Sequence, residues 1–236
     1  MKFLNVSASI AAALIASACE AQVSAPATAA ATTSAAQGAD SPLERVIDLE
    51  LVGGNVEFFE AISGPAKRVW DSREGQFYRS YEVNGCDVDT MTEGETIKSI
   101  TLHVSQQCDP GGFGMQFAGK TLSEAEAELG GGRYVAGCIS GCGNAADPTY
   151  GYEIAGYRAN GFLNYSIQAM PESDADWDRL FAWKDQMVAE RGEDFVVMEM
   201  GYQCDPAFAQ GNRTATKDFR IVSVTVSSEP EGLTCR

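Results

Sequence analysis

In the first half of the chain, the spacing of hydrophobic residues predicts one helix, and the alternation of hydrophobic and polar residues after it predicts strands. Asn55 can cap a short helix over residues 56–62, whose apolar side chains share one face. The pair Gly64-Pro65 ends this helix and begins a turn. The segments that follow predict strands over residues 67–70, 77–83 and 96–104.

The third of these strands has the clearest two-sided pattern. From residue 99 onward apolar and polar residues alternate, which places His103 on the polar side. The start of the strand breaks the pattern, because Ile97 falls on the polar side and Lys98 on the apolar side. His103 is the only histidine, and we expect it to be a structural side chain, exposed or half-buried.

The second half of the chain repeats this order and then adds a long helix. Thr121 begins a capping box for a helix over residues 122–129, and Ser173 caps a helix that ends before Gly192. Trp177 and Trp183 lie on the long helix and could contact a ligand, but core packing is the preferred interpretation for Trp177. Further strands are predicted over residues 133–139, 150–157, 162–170, 195–202 and 219–227.

Together these elements predict an α+β fold. We expect an antiparallel sheet or sheets with helices packed on one face, cross-linked by disulfides. The string Gln-Cys-Asp-Pro occurs at residues 107–110 and again at 203–206, each time after a predicted strand. The globular domain is therefore expected over residues 43–236, and the repeat allows two related halves, 43–118 and 119–236.

The charge balance excludes one large class of partner. The chain has 33 acidic and 17 basic residues, with a formal net charge of −16 at pH 7. Such a surface repels phosphate backbones and anionic lipid headgroups, so we expect no nucleic-acid partner. Solubility is the simplest reason for the charge, ahead of a cationic partner.

The N-terminus has the features of an export signal. Lys2 precedes an apolar stretch over residues 3–15, which is too short for a spanning helix. The run Ala16-Ser17-Ala18-Cys19 resembles the lipobox of bacterial lipoproteins, with Ala16 where that family usually has Leu. The resemblance implies removal of residues 1–18, lipidation of Cys19 and attachment to the membrane through acyl chains. Ordinary cleavage after Ala-Ser-Ala is the alternative and would give a soluble periplasmic or secreted protein.

Residues 19–42 are predicted to be a flexible tether. Small and polar residues dominate this segment, and it has too few large apolar side chains to form a core. In bacterial lipoproteins, Asp directly after the lipidated cysteine favours retention in the inner membrane. Glu20 stands there in this chain, so the resemblance implies an outer-membrane location facing the periplasm.

The chain has seven cysteines. If Cys19 is lipidated, an even number remains, and in an exported protein these would form three disulfides. The candidates are Cys86, Cys108, Cys138, Cys142, Cys204 and Cys235. The pair Cys138 and Cys142 favours a structural disulfide, with a copper site or a redox switch as the alternatives.

The pairing of the other four candidates is left open. If residues 77–83 and 96–104 form a hairpin, Cys86 lies near its turn and Cys108 at the opposite end. Their Cα atoms would then exceed the separation of roughly 7 Å that a disulfide allows. Cys204 and Cys235 raise the same objection, so a pairing between the two halves is an alternative.

The helix, Gly64-Pro65 turn and strands within residues 58–104 loosely resemble the repeats of the BamE/SmpA outer-membrane lipoproteins and of the β-lactamase inhibitor protein. The resemblance implies a helix followed by an antiparallel meander. It covers only this part of the chain, and no function is transferred from it.

Known catalytic motifs are absent from the sequence. Neither a G-x-S-x-G elbow nor an H-E-x-x-H zinc motif occurs. Residues 87–95 begin like a calcium loop, but Met91 and Thr92 stand where that pattern needs Asp and Gly, so we expect a solvated turn. We assign no catalytic residue, no metal ligand and no cofactor.

These features predict an exported, lipid-anchored envelope protein that acts as a non-catalytic binding, assembly or scaffold module. Its expected partners are the membrane, through the lipid anchor, and an envelope protein. An envelope hydrolase with carboxylates that the sequence does not identify is one alternative. A thiol-redox or metal protein at Cys138 and Cys142 is another.

Overall fold

One antiparallel sheet organises the computed structural model, which describes residues 41–73, 75–109, 111, 113–139, 148–157, 163–197, 201–203 and 205–228. Its strands are β1 Arg68–Arg73, β2 Gln76–Val83, β3 Cys86–Glu93, β4 Thr96–His103, β5 Arg133–Gly137, β6 Thr149–Tyr157, β7 Leu163–Met170 and β8 Arg220–Ser227. They lie in the order β1-β2-β3-β4-β8-β7-β6-β5. The strand β8 pairs with both β4 and β7 and so joins two meanders into one sheet.

The helices confirm the α+β class. They are α1 Pro42–Val46, α2 Val56–Ser63, α3 Leu122–Leu129, α4 Asp174–Arg191, α5 Glu193–Val197 and α6 Pro206–Thr216. Short 3₁₀ turns lie at Leu49–Leu51 and Gly201–Gln203. Three predicted helix starts are confirmed, because Asn55, Thr121 and Ser173 each accept a hydrogen bond from a backbone amide of the first turn.

The face of the sheet that carries the core is lined by large side chains in register. Its central row is Tyr81, Val88, Leu102, Val224, Ile167 and Tyr152. Each of these residues is at most 2% exposed. The helix α2 packs on this face, where the rings of Phe59 and Tyr81 lie 4.8 Å apart. Among the tyrosines whose burial the structure describes, five are buried: Tyr81, Tyr150, Tyr152, Tyr165 and Tyr202.

The opposite face of the sheet, which we call the polar face, carries short polar and charged side chains. Its central row is Ser80, Asp89, Thr101, Thr225, Ser166, Glu153 and Arg133. The hydroxyls of Thr101 and Thr225 lie 2.7 Å apart and hydrogen-bond each other. Such cross-strand polar pairs stabilise a sheet without apolar burial.

The prediction that Ile97 lies on the polar side is wrong. The register between β3 and β4 shifts, so that Met91 faces Ser99 while Thr92 faces Ile97. This is a β-bulge with Lys98 as the extra residue. The bulge turns Ile97 back into the core, where it is fully buried.

The prediction of a solvated turn over residues 87–95 is also wrong for most of that segment. Residues 86–93 form β3, and its inward side chains, Val88 among them, are buried. Threonine takes two of the inward positions, Thr90 and Thr92, so few apolar residues mark this strand in the sequence.

The C-terminal half also differs from the prediction, in the segment between the long helix α4 and the last strand β8. Residues 195–197, predicted as the start of a strand, belong to α5, and residues 201–203 form a 3₁₀ turn. The helix α6 was not predicted. Its start does carry a signal, since Asp205 caps the helix and Pro206 occupies its first turn.

Candidate functional site

The outer edge of the sheet at β1 presents an exposed aromatic pair. Trp70 faces Tyr78 on β2, and their rings stack with centroids 5.7 Å apart and an interplanar angle of 17°. Trp70 is 46% exposed, and its neighbour Val69 is 50% exposed. We call Val69, Trp70 and Tyr78 the aromatic edge. Within the part of the chain that the structure describes, no strand pairs with the outer side of β1.

The positively charged side chain of Arg68 lies next to the aromatic edge in β1. The basic neighbours Lys67 and Arg79 pair with Glu82 and Glu60, respectively. Arg68 is exposed and has no carboxylate partner among the described residues. In a protein with a net charge of −16, this guanidinium is a local site of opposite charge.

The polar face holds the only histidine, as the alternation of β4 predicts. The His103 Nε2 atom lies 2.8 Å from Asp89 Oδ2, and Ser80 donates a hydrogen bond to the other oxygen of Asp89. The hydrogen bond with Asp89 raises the pKa of His103 above its ordinary value, against the opposing effect of partial burial. Burial acts to raise the pKa of Asp89, but the hydrogen bonds from His103 and Ser80 outweigh it and lower this pKa.

This cluster does not have the order of a hydrolytic triad. In a triad the imidazole lies between the carboxylate and the hydroxyl, so that it can accept the hydroxyl proton. Here the Asp89 carboxylate lies between Ser80 and His103. Asp89 therefore fixes both side chains, and the imidazole does not contact the Ser80 hydroxyl that it would have to activate.

The acidic residues of β3 point to the same face. Asp87 faces Glu82 across the strand pair and adds to the negative potential at His103. No group of three or more His, Cys, Asp or Glu side chains is placed to hold a metal ion within the described residues. The backbone of β3 is extended, whereas a calcium loop of the kind that residues 87–95 begin to resemble needs a tight turn.

The expectation that Cys86 and Cys108 lie too far apart is wrong. They form a disulfide, with their Cα atoms 5.5 Å apart. Because β3 lies between β2 and β4, Cys86 starts β3 at the end of the sheet where β4 finishes. Ser105 bridges back to Cys108 at that same end.

The other cysteine candidates are only partly described. Cys138 is disulfide-bonded, so its sulfur is not a free thiol in this structure. Cys19, Cys142, Cys204 and Cys235 lie outside the described residues.

The tryptophans of α4 have different environments. Trp183 is buried, and its ring meets Tyr202 edge-on at 5.7 Å. Trp177 is partly buried and stacks on the exposed Phe181, with ring centroids 5.8 Å apart. A cavity of ≈ 370 Å³, lined by α4 and α6, lies beside Trp183.

Two features of these surfaces were missed in the sequence. The aromatic edge had a signal, since Val69 and Trp70 are large apolar residues flanked by charges in a short strand. The α4–α6 cavity was missed because α6 was not predicted, although Asp205 and Pro206 mark the start of that helix.

Comparisons of the chain with protein families, with curated proteins and with solved structures found no match. No described helix combines the length and the apolar content needed to cross a bilayer.

Proposed function

We propose that this protein is an exported, lipid-anchored envelope protein that acts as a non-catalytic binding module and takes an extended segment of an envelope partner along β1. The observation that carries the proposal is the aromatic edge. Natural sheets usually protect their edges with charges, bulges or covering segments. The outer strand β1 has charged residues at its ends and a register irregularity between Asp71 and Arg73. Its middle nevertheless exposes Val69 and Trp70, and an apolar stretch of this kind on an edge strand favours the addition of a strand.

The edge also indicates the chemistry of the partner segment. Val69 and Trp70 are adjacent in β1 and therefore face opposite sides of the sheet. An added strand would contact both through its alternate side chains, and its main chain would pair with the outer side of β1. Arg68 favours a carboxylate in that strand. The expected partner segment is extended and apolar, with at least one acidic residue.

Photo-crosslinking in native envelopes tests the docking surface. A benzoylphenylalanine in place of Trp70 should give one discrete crosslinked partner, whereas the same group in place of Phe181, which is similarly exposed at 45%, should not. With that partner purified, Trp70→Ala should weaken binding at least tenfold, as for a central aromatic contact, and Phe181→Ala should not.

Hydrogen exchange in the purified complex gives the second measurement. Amides of β1 should gain protection when the partner binds. Binding that survives Trp70→Ala without change, together with no protection in β1, would overturn the docking proposal.

The lipid anchor rests on the resemblance at Ala16-Ser17-Ala18-Cys19 and is tested separately. The mature protein from native membranes should begin at Cys19 and carry acyl mass. The Cys19→Ser variant should appear in the soluble fraction. An unacylated mature protein would contradict the anchor but leave the docking surface on β1 intact.

A further inference from the structure

Four consecutive residues of β1 carry opposite charges at the two ends of an apolar pair. They are Arg68, Val69, Trp70 and Asp71, and we call them the edge tetrad. All four are exposed. Their register with β2 is regular, and it shifts only between Asp71 and Arg73. An added strand can therefore follow β1 without interruption along the edge tetrad.

The charges of Arg68 and Asp71 are available to a partner. Neither residue forms an ion pair or a side-chain hydrogen bond with another described residue. The neighbouring cations Lys67 and Arg79, in contrast, are already paired with carboxylates. An incoming strand can thus neutralise both free charges of the edge tetrad without breaking an existing ion pair.

The edge tetrad presents one charged and one apolar side chain on each side of the sheet. Arg68 faces Ser80 of the polar face, and Trp70 alternates back to that same side. Val69 and Asp71 lie between and after them and point to the side of the core. Residues directly opposite each other in a strand pair lie on the same side and interact. Each position of the edge tetrad therefore selects one residue of an added strand.

We propose that the partner segment on β1 runs antiparallel to it and carries, from its N-terminus, a basic, an aromatic, a β-branched and an acidic residue. This inference rests on the proposed docking at β1 and adds the order and direction of the partner's side chains. The basic residue lies opposite Asp71, and the acidic residue lies opposite Arg68. Opposite charges across a strand pair stabilise a sheet, whereas like charges destabilise it. The aromatic and β-branched residues lie beside Trp70 and Val69.

The direction of the added strand follows the rest of the sheet. The strand β1 pairs with β2 in antiparallel orientation, and an antiparallel ladder is more stable per residue than a parallel one. A parallel segment would need the acidic residue first to meet the same charges. The charge order of a bound segment therefore reports its direction.

Two peptides of identical composition test the proposal with the purified full chain. One carries Lys-Phe-Val-Glu between serines and threonines, and the other carries Glu-Phe-Val-Lys. In fluorescence anisotropy the first should bind about fivefold more tightly at low salt, and added salt should reduce the difference. A spin label at the N-terminus of the first peptide should broaden the amide resonance of Ser72 more than that of Lys67.

An exchange of charges on β1 provides the matched control. The double variant Arg68→Glu/Asp71→Lys should reverse the preference between the peptides, whereas Lys184→Glu/Asp185→Lys on α4 should leave it unchanged. The two β1 positions are exposed and have no side-chain partner among the described residues, so the variant should fold normally.

Three results would overturn the inference: failure of both peptides to bind, equal or tighter binding of Glu-Phe-Val-Lys, or a preference that survives the exchange on β1. None of them removes the docking surface itself, because crosslinking at Trp70 in native envelopes tests that surface with the whole partner.

Discussion

At the scale of single residues, the partner of His103 depends on a strand that the sequence did not reveal. The alternation of β4 predicted the side of the sheet on which His103 lies. The sequence predicts a turn at Asp89, although this residue lies in β3 directly beside β4. The pairing of these two side chains therefore needed the structure, because the contact crosses between strands.

Replacing His103 with Gln should lower the free energy of unfolding more at about pH 5 than at about pH 8.5. The pKa of His103 is raised in the folded protein. Its stabilising effect is therefore complete below the ordinary value of 6.5 and is lost as the pH rises through the folded value. Asp89 is ionised at both pH values, since its pKa is lowered. Because His103 is half exposed, the difference should stay below about 1 kcal/mol.

Urea denaturation of both proteins at the two pH values measures this difference. Since His103 is the only histidine, its imidazole titration can be followed by NMR without overlap. Its midpoint should fall clearly in Asp89→Asn and less in Asp87→Asn. An equal loss of stability at both pH values would contradict the expectation.

At the scale of elements, capping residues predicted the helices and the alternation of apolar and polar residues predicted the strands. The prediction was wrong where a bulge or an inward polar residue interrupts that alternation. Bulges at Lys98 and Val222 move Ile97 and Ile221 onto the core side. A bulge depends on the pairing of two distant strands, so alternation within one strand does not show it. The inward threonines of β3 also interrupt the alternation of apolar and polar residues, so the sequence of this strand resembles that of a polar loop.

The disulfide between Cys86 and Cys108 should stabilise the first meander. It closes a loop with a sequence separation of 22, for which the chain-entropy estimate is about 3 kcal/mol. The double variant Cys86→Ala/Cys108→Ala should lose that amount in free energy of unfolding, measured with guanidinium under oxidising conditions. A loss below about 1 kcal/mol would mean that the unfolded chain gains little freedom when the link is removed.

Gly211→Ala should destabilise the contact between α4 and α6, although alanine is the better helix former by about 1 kcal/mol. The added methyl group would overlap the indole of Trp183, and overpacking of this kind typically costs about 1–3 kcal/mol. Denaturant unfolding measures the net change. In a Trp183→Phe background the same substitution should be neutral or stabilising, and equal destabilisation in both backgrounds would rule out the overlap as the cause.

At the scale of the whole molecule, β8 connects the two meanders, because it pairs with β4 of the first and β7 of the second. The sequence allowed two related halves, 43–118 and 119–236. In the structure, Val226 lies between Ile100 of β4 and Tyr165 of β7. The continuous core row then spans strands from both halves, which predicts that they unfold together.

Thermal unfolding should therefore occur in one transition, with equal calorimetric and van't Hoff enthalpies. Amides of β3 and of β7 should exchange with the same free energy of opening, because both strands lose their partners only when the sheet separates. Two resolved transitions, or a large difference between the two strands, would show that the halves are independent units.

The buried tyrosines of the core allow unfolding at high pH to be followed by ultraviolet absorbance. Burial raises the pKa of both Tyr81 and Tyr150 to about 12. Such phenols do not favour unfolding below their ordinary pKa of 10.0, but they oppose the native state progressively as the pH rises above it. The phenolate absorbance of the buried tyrosines should thus appear in one steep step at the pH where the sheet unfolds, and a spectrophotometric titration followed in parallel by circular dichroism would measure both events.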